Sequence, residues 1–219
     1  MTKRLEIIAS LVDGGVVADV GCDHGKLIYE LLSKCRCKSA IVSDISASSL
    51  SKAENLLKDF SNVEAICCDG LSGYKFKHVD QCVISGMGGE EIISIISNSP
   101  IDIDTYILSP QKNEIKVKEF MLNRGYGLTY DRIIYDKGKF YHILKCEKFS
   151  QYKPKNRVEF EFGKDSFGTK DFKCFIEFER LKVNNLMPKV DLNKQKELTE
   201  YLELLEKASK RKEIKWKTC

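Results

Sequence analysis

The stretch VVADVGCDHGKL, residues 16–27, decides the fold class of this chain. Its first half is a valine-rich run typical of a buried strand, where the Asp19 carboxylate loses hydration energy unless it is paired. Gly21 and Gly25 follow, and a helical pattern begins at Lys26. A strand, a glycine-containing turn and a helix in this order predict a βα unit whose turn approaches a small ligand closely.

Apolar runs recur along residues 1–149 and alternate with helical patterns. The expected strands are GVVADV, SAIVSD, VEAICCD, DQCVISG, TYILSP, YGLTYDRIIY and KFYHILKCE. Only DKGK separates the last two runs, which predicts an antiparallel hairpin. Five βα units followed by a hairpin predict an α/β fold with the Rossmann-like sheet of class I methyltransferases, parallel except for its C-terminal pair.

The pattern changes after residue 149, so we expect a catalytic domain of residues 1–149 and a helical domain of residues 150–219. The segment SQYKPKNRVEFEFGKDSFGTK predicts a polar connection, and two helical segments interrupted at Pro188 follow it. They are expected to pack as an antiparallel, coiled-coil-like α-helical hairpin. The expected apolar faces are Phe172, Phe175, Ile176, Val183 and Leu186, and then Leu198, Leu202, Leu205 and Ala208.

The positive charge of the chain is concentrated in its last third. The net charge is +4, and residues 150–219 contain 17 Lys/Arg against 12 Asp/Glu. This pattern has two interpretations, a solvated lysine-rich helix end or a surface for a polyanion such as RNA. The candidate residues for such a polyanion-binding surface are Lys207, Lys210, Arg211 and Lys212.

Composition argues against several other classes of protein. A hydrophobic fraction of 42% and a charged fraction of 31% are typical of a globular protein, and no apolar run approaches the ~20 residues of a membrane span. Glu6 and Asp13 interrupt the N-terminal apolar pattern, which favours an amphipathic helix over a secretion signal. The nine cysteines lack zinc-site spacing, so we expect reduced thiols, no metal and a cytoplasmic location. We also expect a monomer.

Three acidic residues follow one another at intervals of 25 residues, namely Asp19, Asp44 and Asp69. Each interval equals one βα unit, so the three carboxylates should reach the same edge of the sheet, where such folds bind ligands. Asp44 is placed to accept hydrogen bonds from ribose hydroxyls and Asp69 from an adenine amino group. These acids favour S-adenosyl-L-methionine as the cofactor.

A nicotinamide or flavin dinucleotide is the alternative ligand for this topology. Its fingerprint is G-x-G-x-x-G, which holds a pyrophosphate at the helix N-terminus. Here Asp23 lies where the pyrophosphate would pass and would repel it, whereas the same carboxylate suits the ammonium and sulfonium of S-adenosylmethionine. The expected cofactor-binding residues are Asp19, Gly21, Asp23, His24, Gly25, Asp44, Ile45, Asp69, Gly70, Ser85 and Gly86.

The expected fourth strand ends in SGMGGEE, residues 85–91, which is unusually rich in glycine. Methyltransferases of exocyclic amines usually have an Asn/Asp-Pro-Pro-aromatic loop at this position, and no aromatic residue is present here. A tight turn explains one glycine, but three favour close approach of the backbone to the methyl acceptor. The expected catalytic residues are Asp23, Gly86, Met87 and Gly88.

Together, the segments DVGCDHG, SDIS, CDGL, SGMGGE and ILSPQ resemble the bacterial tRNA (adenine-22 N1)-methyltransferases. EFGKDSF and FIEFERLKVNNLM resemble the start of that family's C-terminal helical domain. The chain departs from the family at Ser109, where Gln is usual before the proline, and at Gly25 and Lys26, where Ala and an aromatic residue are frequent. The resemblance implies methyl transfer from S-adenosylmethionine to N1 of an adenine in the D-arm region of tRNA.

Two other functions remain open from the residues alone. One is a methyltransferase of another RNA base or of a small molecule, which would not need a basic helical domain. The other is a non-catalytic RNA-binding module, against which the three acidic residues argue.

Overall fold

The computed structural model describes residues 1–211 of the 219-residue chain. Its strands are β1 Val16–Val20, β2 Ser39–Asp44, β3 Val63–Cys67, β4 Gln81–Ser85, β5 Thr105–Ser109, β6 Gly127–Asp136 and β7 Lys139–Glu147. Its helices are α1 Lys3–Ser10, α2 Lys26–Ser33, α3 Ala47–Leu57, α4 Gly89–Ser97, α5 Glu114–Asn123, α6 Arg157–Phe162, α7 Lys170–Leu186 and α8 Leu192–Ser209. The seven strands form one sheet in the order β3-β2-β1-β4-β5-β7-β6.

The sheet has the mixed topology that the sequence predicts. Strands β1 to β5 pair in parallel, and β7 pairs antiparallel to β5, with Leu108 opposite Leu144. The turn of the β6–β7 hairpin places Lys137 and Gly138 at positive φ, as a two-residue hairpin turn requires. The predicted class I methyltransferase arrangement is therefore confirmed.

The prediction of five βα units is wrong in one connection. The chain between β3 and β4 forms only a three-residue 3-10 turn, Ser72–Tyr74, in place of a helix. The Tyr74 side chain is fully buried, and its hydroxyl lies 3.0 Å from Ser43 Oγ. This one aromatic ring therefore covers sheet surface that a helix covers in the other crossovers.

The described chain divides into two compact units. The first comprises residues 1–129 and 142–153, and the second comprises residues 130–141 and the chain from residue 154 onward. The turn half of the β6–β7 hairpin belongs to the second unit, so both units draw on the hairpin. The functional boundary predicted after residue 149 stays a prediction.

The second unit contains a helix that the sequence pattern does not reveal. The segment expected to be a polar connection forms α6, whose alternating sequence RVEFEF is too short to show a helical period. The Asn156 side chain accepts a hydrogen bond from Glu159 N–H at 3.1 Å and so begins this helix. Phe162 at its end and Phe167 beyond it are both buried.

The two long helices of the second unit are interrupted at Pro188 as predicted, by the 3-10 turn Met187–Lys189. Their packing is antiparallel, because Tyr201 of α8 bonds to Glu179 of α7 while Gln195 reaches back to the Met187 carbonyl. Five of the nine residues of the predicted apolar faces are buried and Leu186 is 39% exposed, while Phe175, Leu198 and Leu202 are half-buried. The shared core of this unit includes Phe162, Phe167, Phe172, Ile176, Leu205 and Ala208.

A pair of glycine substitutions tests whether the second unit depends on the close approach of Gly163 to Asp131. Gly163 ends α6 at φ +77, and a Cβ there would overlap the backbone carbonyl and side chain of Asp131. Gly138 has φ +84 but nothing within 4 Å of the corresponding position. Alanine at either positive φ costs at least roughly 1–2 kcal/mol, but only Gly163→Ala should add steric overlap, so it should destabilise by at least twice as much as Gly138→Ala. Urea unfolding of both variants measures this, and equal losses would contradict it.

Candidate functional site

A cavity of about 310 Å³ lies at the carboxyl ends of β1 and β4. Strand β1 pairs with β2 on one side and with β4 on the other, so this is the point where the strand order reverses. Six of the predicted cofactor-binding residues line it, namely Asp19, Gly21, Asp23, His24, Ser85 and Gly86. The other five, Gly25, Asp44, Ile45, Asp69 and Gly70, do not line the cavity.

The turn between β1 and α2 is held by its glycines and by β2. Gly21 has φ +72, and the N–H groups of Gly21 and Cys22 both donate to the Ser43 carbonyl, at 2.8 and 3.0 Å. A Cβ on Gly21 would overlap the methyl group of Met87, and one on Gly25 would lie 3.0 Å from Ala53 Cβ. Gly21 therefore allows β1 and the turn after β4 to approach each other, while Gly25 allows α2 to begin against α3.

Asp19 is the buried charge of the site. It is 4% exposed, and burial, with a smaller contribution from the Asp44 carboxylate, raises the pKa of Asp19 to about 7. Burial, followed by the nearby Asp19 and Asp44 carboxylates, raises the pKa of the neighbouring Cys22 thiol to about 12. At neutral pH Cys22 is therefore a protonated, buried thiol, which makes it a poor nucleophile.

Asp44 ends β2 with both carboxylate oxygens engaged by the backbone. Oδ2 accepts from Asp23 N–H at 3.2 Å, and Oδ1 accepts from Ser46 N–H at 2.8 Å. Each oxygen retains a lone pair for a ligand hydroxyl, so the carboxylate is positioned without being fully used. Ile45 beside it is 73% exposed, as expected of a side chain that could cover one face of a bound ring.

Two other predicted residues, Asp23 and His24, have their side chains in contact at the cavity. Asp23 has φ +50, and its carboxylate lies 2.7 Å from His24 Nδ1. The Asp23 side chain is 71% exposed. Its negative charge therefore faces the solvent-accessible mouth of the site, where it can meet a cationic ligand.

The glycine-rich turn after β4 is bonded to the loop after β5. Gln111 Nε2 donates to the Gly86 carbonyl at 2.6 Å, and Gln111 N–H donates to the Met87 carbonyl at 2.9 Å. The Gly89 N–H donates to the Lys112 carbonyl at 2.9 Å. The two loops thus form one unit, and the Gly86 and Met87 carbonyls each keep one lone pair for another donor.

The adjacent glycines of this turn have different environments. Gly88 has φ −69, and a Cβ there would lie 3.2 Å from the flexible Lys112 side chain. A Cβ on Gly89 would lie 2.7 Å from the Lys112 and Asn113 carbonyl oxygens. Only Gly89 is required by packing, so the glycine at position 88 has no structural explanation in these contacts.

Asp69 and Gly70 lie at the same sheet edge, after β3. Asp69 is exposed, and Gly70 is buried with φ +54, where a Cβ would lie 2.8 Å from Ile95 Cγ1. The Cys68 N–H donates to the Asp44 carbonyl at 3.2 Å, which ties this segment to the end of β2.

The cavity also contains residues that the sequence analysis missed. Arg4 and Leu5 of α1 and Lys26 and Leu27 of α2 line it. The helical period of α1 was readable, but nothing in the sequence indicated which element its N-terminal end approaches.

The described basic residues near the C-terminus are paired with acids. Lys207 Nζ lies 3.9 Å from Glu203, Lys210 Nζ 2.7 Å from Glu206, and Arg211 Nη1 3.0 Å from Glu159. Lys212 lies outside the described residues.

Within residues 1–211, no cluster of three or more His, Cys, Asp or Glu could hold a metal, and no helix is long and apolar enough to cross a membrane.

The raised pKa of Asp19 predicts how the stability of the protein depends on pH. At pH values between the unfolded pKa of 3.8 and the folded pKa of about 7, Asp19 is protonated in the native protein and ionised in the unfolded chain. The free energy of unfolding should therefore fall as the pH rises through this interval. Asp19→Asn cannot ionise and should gain stability relative to the parent, on the order of a few kcal/mol, between pH 4 and pH 8. Chemical denaturation across this range measures the difference. A pH-independent difference would refute the assignment.

Comparison with known proteins agrees with this geometry. A family model described as a methyltransferase domain matches residues 1–144. A Mycoplasma pneumoniae protein named "Putative tRNA methyltransferase" is 32% identical over 153 residues, covering 68% of this chain and 72% of that protein. The Bacillus subtilis "tRNA (adenine(22)-N(1))-methyltransferase" is 27% identical over 154 residues, covering 67% and 65%.

The fold is also similar to that of a solved structure. The structure of M. capricolum TrmK, in complex with S-adenosyl-homocysteine, matches with a TM-score of 0.83 at 23% identity, covering 94% of this chain and 96% of that chain. The sheet order, the cavity at the strand-order reversal and the match over residues 1–144 agree with one another, and this chain belongs to the methyltransferase-domain family.

Proposed function

We propose that this protein is a tRNA (adenine-22 N1)-methyltransferase that uses S-adenosyl-L-methionine and acts as a monomer in the cytoplasm. The observation that carries the proposal is the set of carboxylates at the cavity, with Asp19 buried within it and Asp23 at its mouth. The name of the Bacillus subtilis relative supports adenine 22 as the target.

The residues of the cavity, together with Asp44 at the end of the neighbouring strand β2, suit this cofactor. The Asp23 carboxylate attracts the ammonium and sulfonium charges, and the Asp44 oxygens accept from the ribose hydroxyls through their remaining lone pairs. Arg4 and Lys26 supply positive charge at the same cavity for the methionine carboxylate. A dinucleotide fits less well, because its pyrophosphate would meet Asp23 at the turn.

Catalysis then consists mainly of alignment and electrostatic stabilisation. When bound, S-adenosylmethionine supplies a methyl group to the N1 lone pair of adenine, so that the S–CH₃ bond breaks and the positive charge moves to the purine. No proton has to leave N1 first, so the chain needs no general base for this step. The Gly86 and Met87 carbonyls can accept from the exocyclic amine, and Asp23 stabilises the cation that develops.

The tRNA substrate requires contacts beyond this cavity. The basic residues Lys207, Lys210 and Arg211, together with Lys212, contribute phosphate contacts by exchanging their acidic partners for phosphate oxygens. Such exchange is inexpensive for Lys207 and Lys210, because exposed ion pairs contribute only about 0–1 kcal/mol. Arg211 exchanges less readily, because its partner Glu159 is only 8% exposed. A target adenine in a paired stem must also be extruded, at a cost of a few kcal/mol that phosphate contacts help to offset.

Methylation of defined tRNA transcripts tests the proposal. The parent protein and labelled cofactor should methylate a tRNA transcript, with 1-methyladenosine as the product after nuclease digestion, and replacing adenine 22 by guanine should abolish the label. Label on the guanine transcript would indicate another target base. Label on small metabolites alone would favour a small-molecule methyltransferase.

The variant Asp44→Asn tests the proposed ribose contact of the cofactor site. The amide oxygen can still accept from Ser46 N–H, and only the longer 3.2 Å bond from Asp23 N–H is lost, so the fold should persist while the charge-assisted ribose contacts are lost. We expect weaker cofactor binding by calorimetry with little change in melting temperature. Unchanged affinity would remove Asp44 from the ribose site.

Gly88→Ala tests the turn after β4. The negative φ and the flexible Lys112 neighbour should let alanine fold at this position, unlike at Gly89. If the turn borders the acceptor, the added methyl should lower methyl transfer about a hundredfold, or ~2.7 kcal/mol of transition-state stabilisation, with cofactor affinity unchanged. Full activity in a stable variant would mean that the acceptor lies elsewhere.

A further inference from the structure

The second unit has a partly exposed aromatic cluster on the outer side of its core, and the cofactor site does not use it. Phe140 lies at its centre, with ring centroids 5.0 Å from Tyr135 and 5.5 Å from Phe178. Tyr135 is 45% exposed and Phe178 is 52% exposed. Leu181, one helical turn beyond Phe178, is 66% exposed and extends the same surface.

The inner side of this cluster packs against further aromatic side chains, which fix the positions of the exposed rings. Phe140 also packs edge-on against Phe175, at 5.3 Å and 81°, and Phe175 contacts the buried Phe162 and Phe172. The exposed rings are therefore the outer layer of a continuous aromatic stack. A ligand that covers them would meet surfaces whose side-chain entropy is already lost, which favours binding.

Positive charge lies directly beside these rings. Lys137 and Lys139 flank Gly138 in the hairpin turn between Tyr135 and Phe140, and both are exposed. Neither pairs with an acid among the described residues, in contrast to Lys207 and Lys210. The surface thus combines aromatic faces with unneutralised cations.

We propose that Tyr135, Phe140 and Phe178, with Lys137 and Lys139, form a platform that stacks unpaired bases of the tRNA substrate. Aromatic faces beside exposed lysines are the combination by which proteins bind single-stranded RNA, since bases stack on the rings while phosphates meet the cations. This inference rests on the proposed function for its choice of RNA. It adds a contact that the glycine-rich turn, which has no aromatic residue, does not provide.

The competing occupant is a second copy of this chain, because exposed apolar patches also form protein interfaces. The two lysines argue against self-association, since two copies meeting at this surface would bring like charges together. They favour a polyanionic partner instead.

Affinity measurements on the full chain test the platform. Binding of a fluorescent tRNA transcript, and of a single-stranded RNA of about ten nucleotides, is measured over a range of salt concentrations. Tyr135→Ala and Phe178→Ala should each weaken binding on the order of tenfold at every salt concentration. Tyr135→Phe, which keeps the ring, should retain the parent affinity.

The lysines should show a different signature. Lys137→Ala combined with Lys139→Ala should lower the slope of log affinity against log salt by roughly 0.7 per lysine, whereas the ring variants should leave the slope unchanged. Phe149→Ala is the matched control, since it removes an 82% exposed phenylalanine from the first unit and should leave RNA affinity unchanged. Melting temperature and cofactor affinity, measured on every variant, separate a binding loss from a folding loss.

Several results would overturn the platform. One is parent-like RNA affinity in the stable ring variants. Another is a ring variant that changes the sedimentation mass while RNA affinity stays constant, which would assign the surface to self-association. Methyl transfer is scored separately: a parent protein that binds RNA through these rings but methylates no tRNA refutes the proposed function and leaves the platform intact.

Discussion

The parallel pairing of β1 with both β2 and β4 is the constraint on which the rest of the site depends. Asp19 pairs in register with Val42 on one side and Val83 on the other, so the three strands end at one edge. The cavity, the Asp44 carboxylate and the glycine-rich turn all follow from that alignment. The cost is a carboxyl group inside the sheet, which is reflected in the raised pKa of Asp19.

The glycines in the loops at this sheet edge are required for different reasons. Gly25 is required by helix packing, Gly21 by its positive φ, and Gly89 by two carbonyl oxygens. These contacts hold the loops without using the outward lone pairs of Asp44 or of the turn carbonyls. The protein therefore positions its acceptor groups by backbone hydrogen bonds and leaves them able to bind a ligand, which suits catalysis by alignment.

In the second unit, the number of basic residues is a poor guide to the location of available charge. The lysines near the end of α8 face acids one turn away, as i,i+4 pairs on a helix do. The hairpin turn carries only two lysines, yet neither has an acidic partner among residues 1–211. Both sets belong to the proposed RNA-binding surface, but only the hairpin set has aromatic rings beside it among the contacts described.

The sequence by itself determined the sheet, its closing hairpin and the edge where Asp19, Asp44 and the glycines meet, because local period and βα spacing specify them. It did not reveal α6, whose single short turn of alternating residues has no period, or the missing helix between β3 and β4. Only the tertiary structure brought Arg4 to the cavity and assembled Tyr135, Phe140 and Phe178 from a strand pair and a helix. Those arrangements depend on which faces of distant segments pack together, and no local pattern in the chain encodes that choice.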